Sequence, residues 1–213
     1  MFIRNCITYV TDLVTLKDNC TVEDAMKIFQ EKRLKSIPVV DDKGFFLGIL
    51  SKENLFELFE SGDYKTFDDL KNVTIKKGIA KIEVLKLDNF FEETLSIIVR
   101  YPFVPIVDDK GHLLGIVKRK DITNTLETSF GLKIPGIRIL IGVPEMEGRL
   151  EKILKYAHNY HINIITALAF DAGERFNRRI LLKISFTEQK DKFLNDLEKH
   201  GLKVLKIDED LKK

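Results

Sequence analysis

No stretch of this chain approaches the roughly 18 consecutive apolar residues that a bilayer-spanning helix needs, so no membrane partner is expected. The opening residues, Met1-Phe2-Ile3-Arg4-Asn5-Cys6, carry no apolar signal-peptide core and no small-residue cleavage site. Cysteine is scarce, and Cys6 and Cys20 lack metal-ligand spacing. A cytoplasmic protein with reduced thiols is the simplest expectation. The four histidines, His112, His158, His161 and His200, form no HxxxH or HExxH pattern, so no metal site is expected. Charge of one sign is not in excess either, with 35 Lys plus Arg against 33 Asp plus Glu. That balance argues against a protein whose main task is binding nucleic acid through a strong positive field. No Ser/His/Asp, Cys/His or paired-carboxylate constellation and no P-loop is present, which points away from an enzyme.

Apolar residues make up 44% of the 213, enough for ordinary cores in one large domain or two modest ones. Within them lies a repeat. Pro38-Val39-Val40-Asp41-Asp42-Lys43-Gly44-Phe45-Phe46-Leu47-Gly48-Ile49 returns 67 residues later, from Pro105 to Ile116, with nine of twelve positions identical and no gap. Such a period is too long for a solenoid and fits two fused half-domains. In each copy two short apolar runs flank Asp-Asp-Lys-Gly, a turn signal, so each holds a β-hairpin. Gly48 and Gly115 fall inside the second strand, where glycine costs stability unless a bulge or a close approach needs the missing side chain.

Helices surround the hairpins. Val22, Ala25, Met26 and Phe29 share one helical face, and Phe91, Thr94, Leu95 and Ile98 repeat that spacing. Thr21 and Asn89 are the expected N-caps. Second helices are expected near Asn54–Phe59 and Asp121–Leu126, and first strands near Leu13–Leu16 and Ile82–Leu87. Each unit thus reads strand, helix, strand, strand, helix.

Both copies resemble CBS motifs, and two in tandem resemble a Bateman module over residues 1–129, motif one at about 1–62 and motif two at about 76–129. The resemblance implies an adenosyl ligand in the clefts between motifs, with the last Asp of Gly-Ile-x-(Ser/Thr)-x-x-Asp on the ribose and the hydroxyl residue near phosphate. Motif one reads Gly48-Ile49-Leu50-Ser51-Lys52-Glu53-Asn54, keeping the hydroxyl and replacing the Asp. Motif two reads Gly115-Ile116-Val117-Lys118-Arg119-Lys120-Asp121, keeping the Asp and replacing the hydroxyl. Before the strand proline stand Lys35-Ser36 in one copy and Pro102-Phe103 in the other. The implied nucleotide-binding set is Lys35, Ser36, Ser51, Asn54, Phe103, Lys118 and Asp121, with Phe103 either stacking on an adenine or blocking it. Several have a plainer role open to them: Ser51, Asn54 and Asp121 as helix caps, Lys118-Arg119-Lys120 as a solvated face.

From Phe130 to Gly136 the helical pattern breaks. Beyond it, alternation at Ile137–Val143, a helical face at Leu150–Ala157, alternation at Ile164–Phe170 and Ile180–Phe186, a helix at Phe193–Leu197 and a strand at Leu202–Ile207 give the order βαββαβ. Thr187 is the expected cap of the last helix and Gly201 its stop. Residues 130–213 are expected to form a ferredoxin-like domain, so the whole chain belongs to the α/β (α+β) class. Val143-Pro144-Glu145-Met146-Glu147-Gly148-Arg149-Leu150 and Asn163-Ile164 resemble parts of the ACT-domain signature. That resemblance implies an amino-acid subsite at Glu145, Gly148, Arg149 and Asn163, with dimerisation or partner docking as the alternative.

Two CBS motifs followed by an ACT domain are similar to acetoin-utilisation proteins of the AcuB type. The resemblance implies a non-enzymatic, homodimeric regulatory sensor that binds an adenine nucleotide and signals to a protein target. It needs no catalytic cofactor. Cyclic di-AMP as the ligand, a ligand-free scaffold and an amino-acid sensor are the alternatives.

Overall fold

The computed structural model describes residues 3–62, 64–144, 146–171, 173 and 177–210. The chain divides into two compact units, Met1–Thr123 and Asn124–Lys213. The division falls inside a helix, ahead of the Phe130–Gly136 break. No helix among the described residues is long and apolar enough to cross a membrane.

The first unit runs β1 (Ile7–Tyr9), β2 (Leu16–Lys17), α1 (Val22–Glu31), β3 (Ser36–Val40), β4 (Phe46–Ser51), α2 (Lys52–Ser61), α3 (Thr94–Ile98), β5 (Phe103–Val107) and β6 (Leu113–Lys118), and then enters α4 (Arg119–Ser129). Thr21 caps α1 as its position suggests, its hydroxyl accepting the Asp24 N–H at 3.2 Å. Val22, Ala25 and Phe29 are buried. They pack with Ile37, Leu50, Leu55, Leu70 and Ile75, each fully buried side chain contributing about 1.5–3 kcal/mol. In the second motif Asn89 is not the cap. Its Oδ1 accepts the Lys86 N–H at 2.7 Å, and a 3-10 turn over Phe91–Glu93 leads into α3. That helix is only five residues long and ends ahead of Pro102, which disfavours helical geometry at the residue before it.

The hairpins β3–β4 and β5–β6 are antiparallel, each with a register shift at the same place, Val39/Val40 and Ile106/Val107. Their turns meet reciprocally. The Phe46 N–H donates to Gly111 O, and the Leu113 N–H donates to Gly44 O, both at 3.0 Å. Since 111 and 113 are the repeats of 44 and 46, the reciprocity is that of a two-fold axis between Phe45 and His112, whose rings lie 4.2 Å apart.

The leading segments of the two motifs are exchanged. β1, at the start of motif one, pairs with β6 of motif two, Thr8 opposite Ile116. Ala80, at the start of motif two, pairs with Ile49 of motif one through two 2.9 Å bonds. The expected strand at Leu13–Leu16 shrinks to Leu16–Lys17, parallel to β3. Its counterpart is reduced to a single bridge, Leu85 to Ile106.

The second unit holds β7 (Gly136–Pro144), α5 (Arg149–Asn159), β8 (Ile164–Asp171), β9 (Asn177–Ile184), α6 (Lys190–Lys199) and β10 (Lys203–Asp210). Its sheet order is β10-β7-β9-β8, all neighbours antiparallel. This is the βαββαβ order expected, arranged 4-1-3-2. Ile137, Ile139, Ile141 and Val143 alternate inward to meet Ile153, Ala157, Phe193 and Leu197 of the two helices. β9 stops at Ile184, short of the expected Phe186, which is 48% exposed. Thr187 does not cap α6 directly. Its hydroxyl accepts the Gln189 N–H at 3.1 Å, and the helix begins at Lys190. Gly201, at φ +76°, stops α6 as expected. On the outer face, the buried Lys183 ammonium donates to Gly131 O at 2.8 Å, fastening the segment after α4 to the sheet.

Candidate functional site

In the first motif β4 ends at Ser51 and α2 begins one residue later. The register sets Ser36 opposite Ser51, and the Lys52 N–H donates to Lys35 O. Lys35, Ser36, Ser51 and Asn54 therefore gather at one end of the hairpin. Ser51 and Asn54 form a reciprocal cap. Ser51 Oγ accepts the Asn54 N–H at 3.1 Å, and Asn54 Oδ1 accepts both the Ser51 N–H at 3.0 Å and the Ser51 hydroxyl at 2.8 Å. Both lone pairs of Oδ1 are thus taken within the cap, so Asn54 does not offer the free acceptor expected of it, and its Nδ2 donates to Glu57 Oε2 at 3.4 Å.

The second motif builds the same turn from different chemistry. Phe103 stands opposite Lys118, and Asp121 lies in the first turn of α4. Lys118 is exposed and Asp121 half-buried. Arg119, between them, is committed elsewhere: its guanidinium donates to Ile98 O and Tyr101 O, both at 3.1 Å, closing the C-terminal end of α3. Phe103 is only 4% exposed. It packs on Ile49 and Ile116, with Leu13, Ala80 and Ile82 around it. It is packed into the chain's own apolar core rather than presented on a surface. Ser36, its counterpart 67 residues earlier, is small and half-buried. The two ends of the repeat are therefore chemically unequal.

Gly48 and Gly115 serve a different close approach from the one their position suggests. A Cβ on Gly115 would lie 2.3 Å from Thr8 O, and one on Gly48 would lie 2.4 Å from Ala80 O. The missing side chains admit the exchanged backbone of the other motif, not a ligand.

That exchange brings in residues the sequence reading passed over. Cys6 and Thr8 arrive beside β6, and burial first, then the negative charge of Asp121, push the Cys6 thiol pKa up. Asp121 therefore faces the leading segment of motif one. No motif marks Cys6 or Thr8, because their place follows from pairing across more than a hundred residues.

In the second unit Gly148 and Arg149 line a cavity of about 420 Å³ with Val143, Pro144, Leu150 and Arg178. Gly148 takes φ +73° ahead of α5. Arg178 of β9 gave no signal in the sequence, since only the β7–β9 register brings it there. Asn163 does not join them: its Nδ2 donates to Ser185 Oγ at 2.9 Å, at the other end of β8. Glu145 lies outside the described residues.

The CBS domain family model matches residues 7–61 and 79–128. The first unit is a pair of CBS domains. The pair is similar in fold to the Listeria monocytogenes CbpB protein in complex with c-di-AMP, at TM-score 0.55 and 21% identity, covering 61% of this chain and 98% of that one. It is likewise similar to CBSX2 in complex with AMP, at TM-score 0.51 and 21% identity, covering 59% of this chain and 95% of that one. An uncharacterized protein of Methanocaldococcus jannaschii is 28% identical over 123 residues, 57% of this chain and 38% of that relative. The chain thus spans under two-fifths of that curated relative's length.

Proposed function

We propose that the CBS pair is a regulatory sensor that takes one adenosyl ligand per chain rather than a catalyst. The observation that carries this reading is the reciprocal strand exchange, which sets two strand-to-helix turns, each with polar cap groups, in a two-fold frame. A helix start offers unpaired N–H groups and a favourable dipole to phosphate. Asp121 supplies a carboxylate for a ribose diol, and Lys118 a mobile cation. Lys35, Ser36, Ser51 and Asn54 supply the polar lining of the first turn. AMP and c-di-AMP, the ligands of the two solved neighbours, both carry the adenosyl chemistry this set fits. The burial of Phe103 favours a single adenine over two, and so a mononucleotide over c-di-AMP.

The βαββαβ unit we read as an ACT-type, ferredoxin-like domain, and the whole chain as an AcuB-type homodimer whose second unit passes ligand occupancy to a protein target. Differential affinity of the ligand for two arrangements of the pair is the physical basis of such signalling. A cavity lined by charges of both signs, Glu147 with Arg149 and Arg178, supports an amino-acid effector as a second reading for that unit.

The test is a thermal-shift and calorimetric screen of the full chain with AMP, ADP, ATP, S-adenosylmethionine, NAD and c-di-AMP. A ligand at about 100 times its Kd adds about 2.7 kcal/mol. One of them should bind with one site per chain, and Asp121→Ala should weaken it by about tenfold, as loss of a charge-assisted bond does. Wild-type affinity in Asp121→Ala refutes the ribose assignment, and absence of any binder refutes the sensor.

A further inference from the structure

The outer face of the second unit's sheet is set by alternation and register. Ile137, Ile139, Ile141 and Val143 of β7 pack toward the helices, so Arg138, Leu140 and Gly142 point the other way. Residues paired across neighbouring strands share a face. The pairings of β7 with β10 and β9, and of β9 with β8, then lay three rows across all four strands. They are Asp208, Arg138, Lys183 and Thr166; Lys206, Leu140, Leu181 and Leu168; and Lys203, Gly142, Arg179 and Phe170. The register shift before Lys206 adds Leu205 to this face, since a Cβ on Gly142 would lie 3.1 Å from Leu205 Cδ1.

Helices α5 and α6 cover the inner face. Of the outer face the chain covers one corner. Gly131 O accepts the Lys183 ammonium at 2.8 Å and Ser129 O accepts the Thr166 hydroxyl, so the end of α4 rests on the first row at its β8–β9 side. Beyond that corner Leu168 and Phe170 are each 40% exposed and Leu205 39%, and Lys203 and Lys206 are exposed. Two cavities open there, one of about 380 Å³ at Gly142, Arg179, Lys203 and Leu205, the other of about 150 Å³ at Leu140, Leu181 and Lys206. Asp208 is the single carboxylate in the three rows, and Arg138 pairs with it at 3.8 Å. The uncovered rows are thus aliphatic at the centre and basic at the flank.

That chemistry selects among occupants. A second copy laid face to face would set cations against cations, which like-charge repulsion opposes. A single-stranded nucleic acid would satisfy the cations but stacks its bases on aromatic platforms, and Phe170 is the one aromatic side chain in the rows. A second sheet packs through several apolar rows, whereas the leucine row is one residue wide. It spans three strand spacings, about 14 Å, which is the length of an apolar stripe on about nine residues of helix. We propose that the uncovered outer face docks an acidic amphipathic helix of a partner protein, with its apolar stripe on Leu140, Leu181, Leu168 and Phe170 and its carboxylates toward Lys203 and Lys206. The proposal rests on the reading of the second unit as the part that addresses a protein target, and none of these residues belongs to the candidate nucleotide or amino-acid sets.

Fluorescence anisotropy with the full chain tests it. The probe is a labelled amphipathic helical peptide with leucine at helical spacing and glutamate elsewhere, against the same peptide with lysine for each glutamate. Saturable binding of the glutamate peptide and not of the lysine peptide is expected. Lys206→Glu, which sets like charges together, and Leu168→Ser, which removes an apolar contact, should each weaken it by about tenfold. Lys152→Glu alters an exposed residue of α5, on the other side of the sheet, and should change binding by less than about twofold. All three side chains are exposed, so an unchanged unfolding midpoint accompanies the effects. No nucleotide is present, so the result stands apart from the nucleotide screen. Equal binding of the lysine peptide, wild-type binding by both Lys206→Glu and Leu168→Ser, or a larger loss in Lys152→Glu than in Lys206→Glu overturns the proposal. So does displacement of the probe by oligouridylate, which assigns the face to nucleic acid, or a sedimenting dimer that Leu168→Ser dissolves, which assigns it to a second copy.

Discussion

Gly115→Ala is the sharpest probe of the strand exchange on which the CBS pair rests. The added methyl would sit 2.3 Å from Thr8 O and 2.9 Å from two carbons of the Ile7 side chain. The carbonyl is backbone, held by the pairing of β1 with β6, so it cannot rotate away. Gly115 itself has an unremarkable φ, which leaves sterics as the whole cost. Overpacking of this kind costs about 1–3 kcal/mol, and each strand bond lost as β1 lifts off adds about 1 kcal/mol. A total of about 3 kcal/mol lowers the midpoint of a chain this size by roughly 6–12 °C. Urea unfolding followed by far-ultraviolet circular dichroism reads the loss, and hydrogen exchange at the Ile7–Tyr9 amides reads the strand itself. Gly44→Ala is the control: φ is +89° there, with nothing within 4 Å of the added Cβ, so only the backbone term of about 1–2 kcal/mol applies. If Gly115→Ala unfolds within about 0.5 kcal/mol of wild type, as a neutral surface change does, with unchanged exchange at Ile7–Tyr9, the exchanged strand is not what the glycine serves.

Three further outcomes follow from the same structure. Phe103→Ser, which copies Ser36 into motif two, should open the filled slot and raise the calorimetric stoichiometry from one adenosyl ligand per chain to two; a stoichiometry still at one removes Phe103 as the block. Asp108 accepts a 2.9 Å bond from His112 Nδ1, and this bond first, with the backbone N–H bonds of His112 and Lys110, lowers its pKa to about 2. A depressed carboxyl stabilises the fold above its unfolded pKa, near 3.8, and loses that contribution as pH falls toward 2. His112→Phe, copying Phe45, should move the Asp108 titration seen by carbon NMR upward, and an unmoved midpoint assigns the shift to the backbone donors alone. Asp121→Asn should lower the Cys6 thiol pKa and speed its alkylation at pH 8 while leaving Cys20 unaffected, because Cys20 is raised by burial and by Asp24 instead; equal rates in variant and wild type place Asp121 away from Cys6.

Much of the fold was legible residue by residue. The 67-residue repeat, both hairpins, α1 with its Thr21 cap and the βαββαβ order are patterns set by neighbours within one or two turns of chain. The misses share a cause. Asn89 and Thr187 each bond one turn away from the cap expected of them, because a short polar side chain chooses among several nearby N–H groups on grounds that spacing does not record. Asn54 sits at the strand-to-helix turn as expected, but its acceptor is consumed by Ser51. Asn163 matched a signature and lies at the far end of β8 from Gly148, while Arg178 matched nothing and lines the cavity.

The linear order of residues by itself determined that there are two copies of one half-domain and a second unit of alternating strands and helices, since periodicity of burial is written locally. Only the folded chain decided which leading segment pairs with which hairpin, that Phe103 joins the apolar core, and which helix entrance is covered by residues 71–77. Those choices close loops of tens of residues or more, and their free energy comes from backbone carbonyls, glycines and apolar faces that meet only after the closure is made.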